Sequence, residues 1–159
     1  MKKIFKIKNF YFIVGLLSIF TLISAVYIEN VLEVKACKLC LYQRAPYIIS
    51  IFLCFFGYVN FKNYIWIYFL MLNFSLSIIL AGYHTGIENN IFPEFSGCTA
   101  DNLNIFDKEK LINSLKESLP NCKEVAFKLL GLSLATINLF ISIFIVIISI
   151  LFIKNEKNK

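Results

Sequence analysis

The sequence predicts an all-α membrane protein: an up-down bundle of four transmembrane helices with a short amphipathic helix in its second outer loop. Three observations carry this. Of 159 residues, 58% are hydrophobic, with 17 Phe and 3 Pro, against roughly 45–50% apolar residues in soluble domains. The apolar residues gather in four uncharged blocks. The lysines cluster beside alternate block ends. A chain of this length suits a single domain, here one membrane domain over residues 1–159.

The blocks are residues 10–28, 46–61, 64–83 and 129–153, of 19, 16, 20 and 25 residues. A helix crosses the bilayer core with about 20 apolar residues. The second block needs Leu41 and Tyr42, or local thinning of the bilayer, to reach across. Water is absent from the hydrocarbon, so each block must satisfy its own backbone, and a helix does so. The expected helices are therefore about 10–28, 41–61, 64–83 and 129–153, with outer loops over 29–44 and 84–128. The first block follows Lys2, Lys3, Lys6 and Lys8 as a secretory signal would. It is longer than the roughly 7–15 apolar residues of such signals, however, and Ile23 stands where a small residue should precede Ala25. The block is read as a retained helix.

Charge sets the orientation. With both termini on the cytoplasmic side, that side carries Lys2, Lys3, Lys6, Lys8, Lys62, Lys154, Lys157 and Lys159 against Glu156 alone. The remaining basic residues are balanced by acids and spread over the two longer loops. Lys and Arg density near helix ends selects the inside. The net charge of +6 is thus a topology signal and gives no reason to expect a nucleic-acid partner; the lipid bilayer is the expected surrounding. Within the second outer loop, Leu111, Ile112, Leu115 and Leu119 recur at helical spacing with charges between them, and Pro120 ends the pattern. Such a segment suits the membrane interface or a surface helix packed on the bundle.

Five cysteines remain to be explained. Cys54 lies amid Phe52, Leu53, Phe55 and Phe56 and reads as a small buried hydrophobe. Cys37 and Cys40 follow the first helix, while Cys98 and Cys122 follow the third. Two crossings separate the pairs, so both face the same, outer side, where thiols meet an oxidising compartment. Cys37-Lys38-Leu39-Cys40 is a C-x-x-C, a spacing shared by reversible redox pairs and half zinc sites. It stands at a helix N-terminus, which favours a thiolate. Arg44, four residues after Cys40, would share its face if the backbone is helical there. Pro46 opposes that, because it biases Ala45 away from helical angles. Cys98 and Cys122, 24 apart, could be a structural staple or a second redox pair. A surface C-x-x-C and a loop pair on one side can form a relay through mixed disulfides, and the membrane offers it a lipid-soluble electron acceptor.

The run Cys37-Lys38-Leu39-Cys40-Leu41-Tyr42-Gln43-Arg44 resembles the disulfide bond formation protein B (DsbB) family, whose pattern is C-x-L-C-x-x-x-R at the start of the second of four helices. The resemblance covers nearly the whole chain, including Pro120-Asn121-Cys122 and Gly131-Leu132-Ser133 at the last helix. It implies a thiol:quinone oxidoreductase of the bacterial inner membrane, multi-pass, with cytoplasmic termini and periplasmic cysteine loops. Such an enzyme reoxidises a DsbA-like thioredoxin-fold oxidase and passes the electrons to a membrane quinone, ubiquinone or menaquinone. The implied roles are residue-specific. Cys98 takes the attack of the partner's dithiol, and Cys122 resolves it and can pair transiently with Cys37. Cys40 is the thiolate facing the quinone, and Arg44 stands near the acceptor, where a fixed cation lowers the cost of developing negative charge. His84, the one histidine, corresponds to a residue beside the quinone. Glu88 stands where similar proteins commonly carry Gln, a departure that leaves a shared role open.

Two other classes compete. A zinc-binding membrane protein would use four thiolates, but structural sites favour two close-spaced pairs, and the second pair here is 24 apart. A non-catalytic scaffold with two structural disulfides is the other. A vitamin K epoxide reductase-like enzyme also uses four helices and a C-x-x-C, but late in the chain, whereas this one follows the first helix.

Overall fold

A computed structural model describes residues 2–94, 122–123, 125, 127–129 and 131–157. Cys98 and the amphipathic segment expected over 107–119 lie outside the described residues. Among the described residues four helices form: α1 Lys2–Asn30, α2 Lys38–Val59, α3 Ile65–Glu88 and α4 Leu134–Lys157. Each is long and apolar enough to cross a membrane, and the chain is a multi-pass membrane protein.

The large side chains point outward. Phe12, Phe20, Phe52, Phe55, Ile79 and Phe144 are all exposed, as they should be where the solvent is lipid. The small polar ones point inward. Ser18, Ser50, Ser77, Ser142 and Ser149 are fully buried. Ser18 and Ser149 donate to the carbonyls of Val14 and Ile145 in their own helices, which satisfies a hydroxyl without water. Across interfaces, Ser50 donates to Ser18 at 2.6 Å and Ser77 pairs with Ser142 at 2.9 Å. Lipid tails are as apolar as Leu, so close approach through small residues and such hydrogen bonds hold helices together. Gly57 shows the closeness required: a Cβ there would run into the Tyr11 ring of α1.

The helices pack in sequence, α1 on α2, α2 on α3 and α3 on α4. The seam between α1 and α4 is the loosest of the four. At the end carrying the termini it is closed by Phe10 and Phe152, stacked 5.3 Å apart. A core of Tyr11, Tyr47, Ile67, Leu70, Phe74 and Ile145 lies alongside. Lys8 caps this end, with Nζ 4.6 Å from the Phe61 ring centre and 5.1 Å from that of Tyr58. The α2–α3 turn is fixed by asparagines, since Asn63 N–H donates to the Asn60 carbonyl and Asn63 Oδ1 accepts from Ile65 N–H.

Three differences from the sequence expectation bear on the site. Pro46 lies within α2 without breaking it. A proline inside a membrane helix is tolerated; it takes the i+4 donor from the Tyr42 carbonyl, while Asn73 of α3 ties the two helices together here by donating to the Pro46 carbonyl at 2.8 Å. The third helix runs beyond residue 83 to Glu88. Nothing polar there breaks a helix, and the chain turns only at Asn90, whose φ of 58° is the left-handed end that Asn accepts. The segment 129–133, expected to open the last helix, is instead a two-strand hairpin, β1 Lys128–Leu129 and β2 Leu132–Ser133. Gly131, at φ 84°, makes its turn.

Candidate functional site

Cys37 stands just before α2 as its N-cap, with extended backbone at φ −70° and ψ 166°. Its sulfur accepts the backbone N–H of Cys40 at 3.2 Å, in the position an Asn or Ser oxygen usually takes. The Cys37 and Cys40 sulfurs lie 2.8 Å apart, within hydrogen-bond reach, and toward an ionised Cys37 the Cys40 thiol is the donor. His84 Nε2 lies 3.6 Å from it. Both cysteines are free thiols, and Cys122 is disulfide-bonded.

Three donors therefore converge on one sulfur, and they hold the Cys37 thiol well below its ordinary range. The hydrogen bond from Cys40 is the largest cause; burial opposes it, and His84 and the Cys40 backbone N–H add to the lowering. In the reduced pair this arrangement favours the negative charge on Cys37. The resemblance gives the thiolate facing the quinone to Cys40, with Arg44 close by. The helical register required for that does exist, since α2 is continuous from Lys38. However, Arg44 Nη1 turns to Glu29 Oε2 of α1 at 2.6 Å. An N-cap sulfur also faces the helix donors, as a first-turn sulfur does not.

His84 does not follow the third helix, as the expected end at residue 83 would have it. It lies inside α3 and is 2% exposed, and a chain of side chains sets its tautomer. Tyr47 OH donates to Asn138 Oδ1 at 2.5 Å, and Asn138 Nδ2 donates to Gln43 Oε1 at 2.9 Å. Gln43 Nε2 then meets His84 Nδ1 at 3.0 Å. An amide nitrogen only donates, so Nδ1 is the acceptor and the ring proton sits on Nε2, toward Cys37. Glu88 follows one turn later. Its Oε1 is 3.8 Å from His84 Nε2, and its Oε2 accepts from Ser133 of the hairpin. Ser133 Oγ in turn accepts the Thr136 N–H at the start of α4.

On one side, Cys37 joins Leu39, Ile87 and Cys122 in a small buried cluster. On the other side, Cys37 and Cys40 line a cavity of about 300 Å³ between α1 and α4. Apolar residues such as Leu17, Phe20, Ile137 and Ile141 form its walls, and Gln43, Arg44, His84 and Glu88 stand at the thiol end. The structure thus brings Cys37, Cys40, Arg44, His84 and Cys122 to one end of the bundle. Cys54 sits apart in the core, as expected of a small hydrophobe. Sequence reading missed Tyr47, Asn138, Ser133 and the partnership of Glu29. The available signal was polarity in the wrong place: Asn138 interrupts a 25-residue uncharged block, and polar groups inside membrane helices turn inward.

Comparison with known proteins agrees with this chemistry. Residues 7–152 match the family described as disulfide bond formation protein DsbB. The chain belongs to this family, whose members are membrane proteins of disulfide bond formation. It is similar to an uncharacterized protein (RP370) of Rickettsia prowazekii, 28% identical over 138 residues, covering 82% of this chain and 78% of that one.

Proposed function

We propose that the protein reoxidises a periplasmic DsbA-like dithiol oxidase by thiol–disulfide exchange through its two cysteine pairs. It passes the electrons to a membrane quinone, ubiquinone or menaquinone, and so drives disulfide formation. The lysine distribution supports a bacterial inner-membrane location with cytoplasmic termini and periplasmic cysteine loops. The observation that carries the reading is the position of Cys37 and Cys40, with Cys122 on one side and the lateral cavity on the other.

The cavity fits the acceptor. Its volume is at the lower end of small-molecule pockets, about 300–1,000 Å³. Its apolar walls suit an isoprenoid, Arg44 and Gln43 offer donors to ring oxygens, and His84 stands beside them. A quinone bound there supplies a sink for two electrons and two protons. Cys37, as thiolate, and Cys40, as thiol, give up those electrons as the bond between their sulfurs closes; Cys40 releases one proton, and the second proton the acceptor takes up comes from water. His84 Nε2–H holds the Cys37 charge until then. Arg44 keeps a fixed positive charge at the cavity wall, and its ion pair with Glu29 ties α1 to α2 beside it.

On the loop side, the partner's thiolate attacks Cys98 of a Cys98–Cys122 disulfide and displaces Cys122. The freed Cys122 thiolate attacks Cys37 of the oxidised Cys37–Cys40 pair and displaces Cys40. The partner's second thiol then releases Cys98, which attacks Cys122, re-forms the loop disulfide and leaves Cys37 and Cys40 reduced. Each cycle moves one disulfide outward and two electrons inward.

The test uses purified protein in detergent, a reduced DsbA-like dithiol protein and a ubiquinone or menaquinone analogue. Quinone absorbance should fall rapidly with the wild type, and not with Cys40→Ser or Cys98→Ser. A wild type inert with both quinones would end this reading.

A further inference from the structure

Cys37 Sγ, Cys40 Sγ and His84 Nε2 lie within 4.8 Å of one another. We propose that the reduced Cys37–Cys40 pair is also a binding site for a thiophilic divalent cation of the Zn²⁺ kind, held by both sulfurs and His84 Nε2. An ion held there occupies both thiols and withdraws them from exchange. The inference requires only that the reduced pair is reachable; it does not depend on the quinone or on the partner protein.

Geometry supports it first. Zinc takes sulfur at about 2.3 Å and imidazole nitrogen at about 2.0–2.1 Å in a tetrahedron. Adjacent ligand atoms then stand about 3.6 Å apart for sulfur and nitrogen, and about 3.8 Å for two sulfurs. Cys37 Sγ and His84 Nε2 are already 3.6 Å apart. The two sulfurs, 2.8 Å apart, must open by about an ångström. Side-chain rotation in the first turn of α2 can supply this, because Cys40 faces the cavity. Charge supports it second. Two thiolates neutralise the ion, so a divalent cation enters a largely apolar wall without adding net charge. Glu88 Oε1, 3.8 Å from His84 Nε2, is placed to take the fourth position or to orient a water there.

The surrounding chain supports it third. A metal-bound histidine donates its other ring N–H to an acceptor, which sets its tautomer. At present Gln43 donates to Nδ1. Rotating the Gln43 and Asn138 amides presents Gln43 Oε1 to Nδ1–H and Asn138 Nδ2 to the Tyr47 hydroxyl. Amides and a hydroxyl work in either direction, so the chain reverses without losing a bond. A carboxylate at position 43 would need no rotation. It could accept from Nδ1–H and from Asn138 Nδ2 at once.

The experiment titrates full-length protein in detergent with Zn²⁺ against a chromophoric chelator, and with Co²⁺ for its visible spectrum. The expected result is one ion per reduced chain, none after oxidation to the disulfide, and a tetrahedral Co²⁺ spectrum with thiolate charge-transfer bands. Cys37→Ser and His84→Ala should abolish stoichiometric binding, while Cys54→Ala should leave it intact. Gln43→Met should weaken affinity about 10-fold or more, and Gln43→Glu should hold or tighten it. That contrast reads the ligand shell and does not depend on whether the first two variants fold. Failure of the reduced wild type to bind, an octahedral Co²⁺ spectrum, or equal affinity of Gln43→Met and Gln43→Glu would overturn the proposal. A protein that binds Zn²⁺ but reduces no quinone would refute the previous section and leave this one standing.

Discussion

Replacing Cys40 with Ala removes the S–H donor that lies 2.8 Å from Cys37 Sγ and leaves the helix cap in place, because the backbone N–H at position 40 still points at the sulfur. A hydrogen bond to a charged group contributes about 1.5–3 kcal/mol, and one pKa unit corresponds to about 1.36 kcal/mol. The Cys37 pKa should therefore rise by about one to two units. His84→Leu removes the longer contact at 3.6 Å and should produce a smaller rise of the same sign. The sign follows from the depressed pKa: the thiolate persists as pH falls toward the folded pKa, so losing a donor makes it disappear at higher pH. The assay is iodoacetamide alkylation against pH, with Cys37 followed by peptide mass spectrometry in a Cys54→Ala background. Wild-type reactivity should survive well below an ordinary thiol midpoint of about 8.5, and the Cys40→Ala curve should shift upward. A wild-type midpoint at the ordinary value, or superimposable curves, would show that the convergence of donors on Cys37 has no electrostatic effect.

Asn138→Leu should strand Tyr47 OH and Gln43 Oε1 inside the bundle and lower stability by roughly 1–3 kcal/mol, measured by detergent-driven unfolding. Gly57→Ala should force the Tyr11 ring aside and cost about 1–3 kcal/mol. Gly82→Ala, whose new Cβ would meet only Leu139 Cδ1 at 3.9 Å, should fall within about 0.5 kcal/mol of wild type. Glu29→Gln should shift stability by less than about 1 kcal/mol, since the pair is partly exposed at 22% and 36%. Equal losses for the two glycine variants, in thermal unfolding, would refute the packing argument.

Hydropathy and charge were enough to read four spans, because lipid imposes one demand on every backbone group. The cysteine spacing marked the site for the same kind of reason: few chemistries need C-x-x-C at a helix start. What stayed hidden depended on partners far away in the chain. Tyr47 meets Asn138 across 91 positions and Asn138 meets Gln43 across 95, and no local periodicity encodes either contact. Pro46 looked like a break because proline biases the residue before it away from helical angles, a local preference that the membrane-spanning helix overrides. The third helix looked shorter because His84 and Glu88 are polar, yet their inward face is the reason they extend it. The donors gathered around Cys37 follow from cap geometry, which a spacing pattern cannot resolve.

The seam between α1 and α4, clasped by Phe10 and Phe152 and parted around the cavity, separates traffic by solubility. An acceptor of the kind proposed would reach the thiols sideways, from within the sheet of lipid, through this cavity. A soluble protein can approach only from the loop end, where Cys122 lies on the opposite side of Cys37. Under the proposed function the two partners would use different doors, and neither would have to leave before the other arrives.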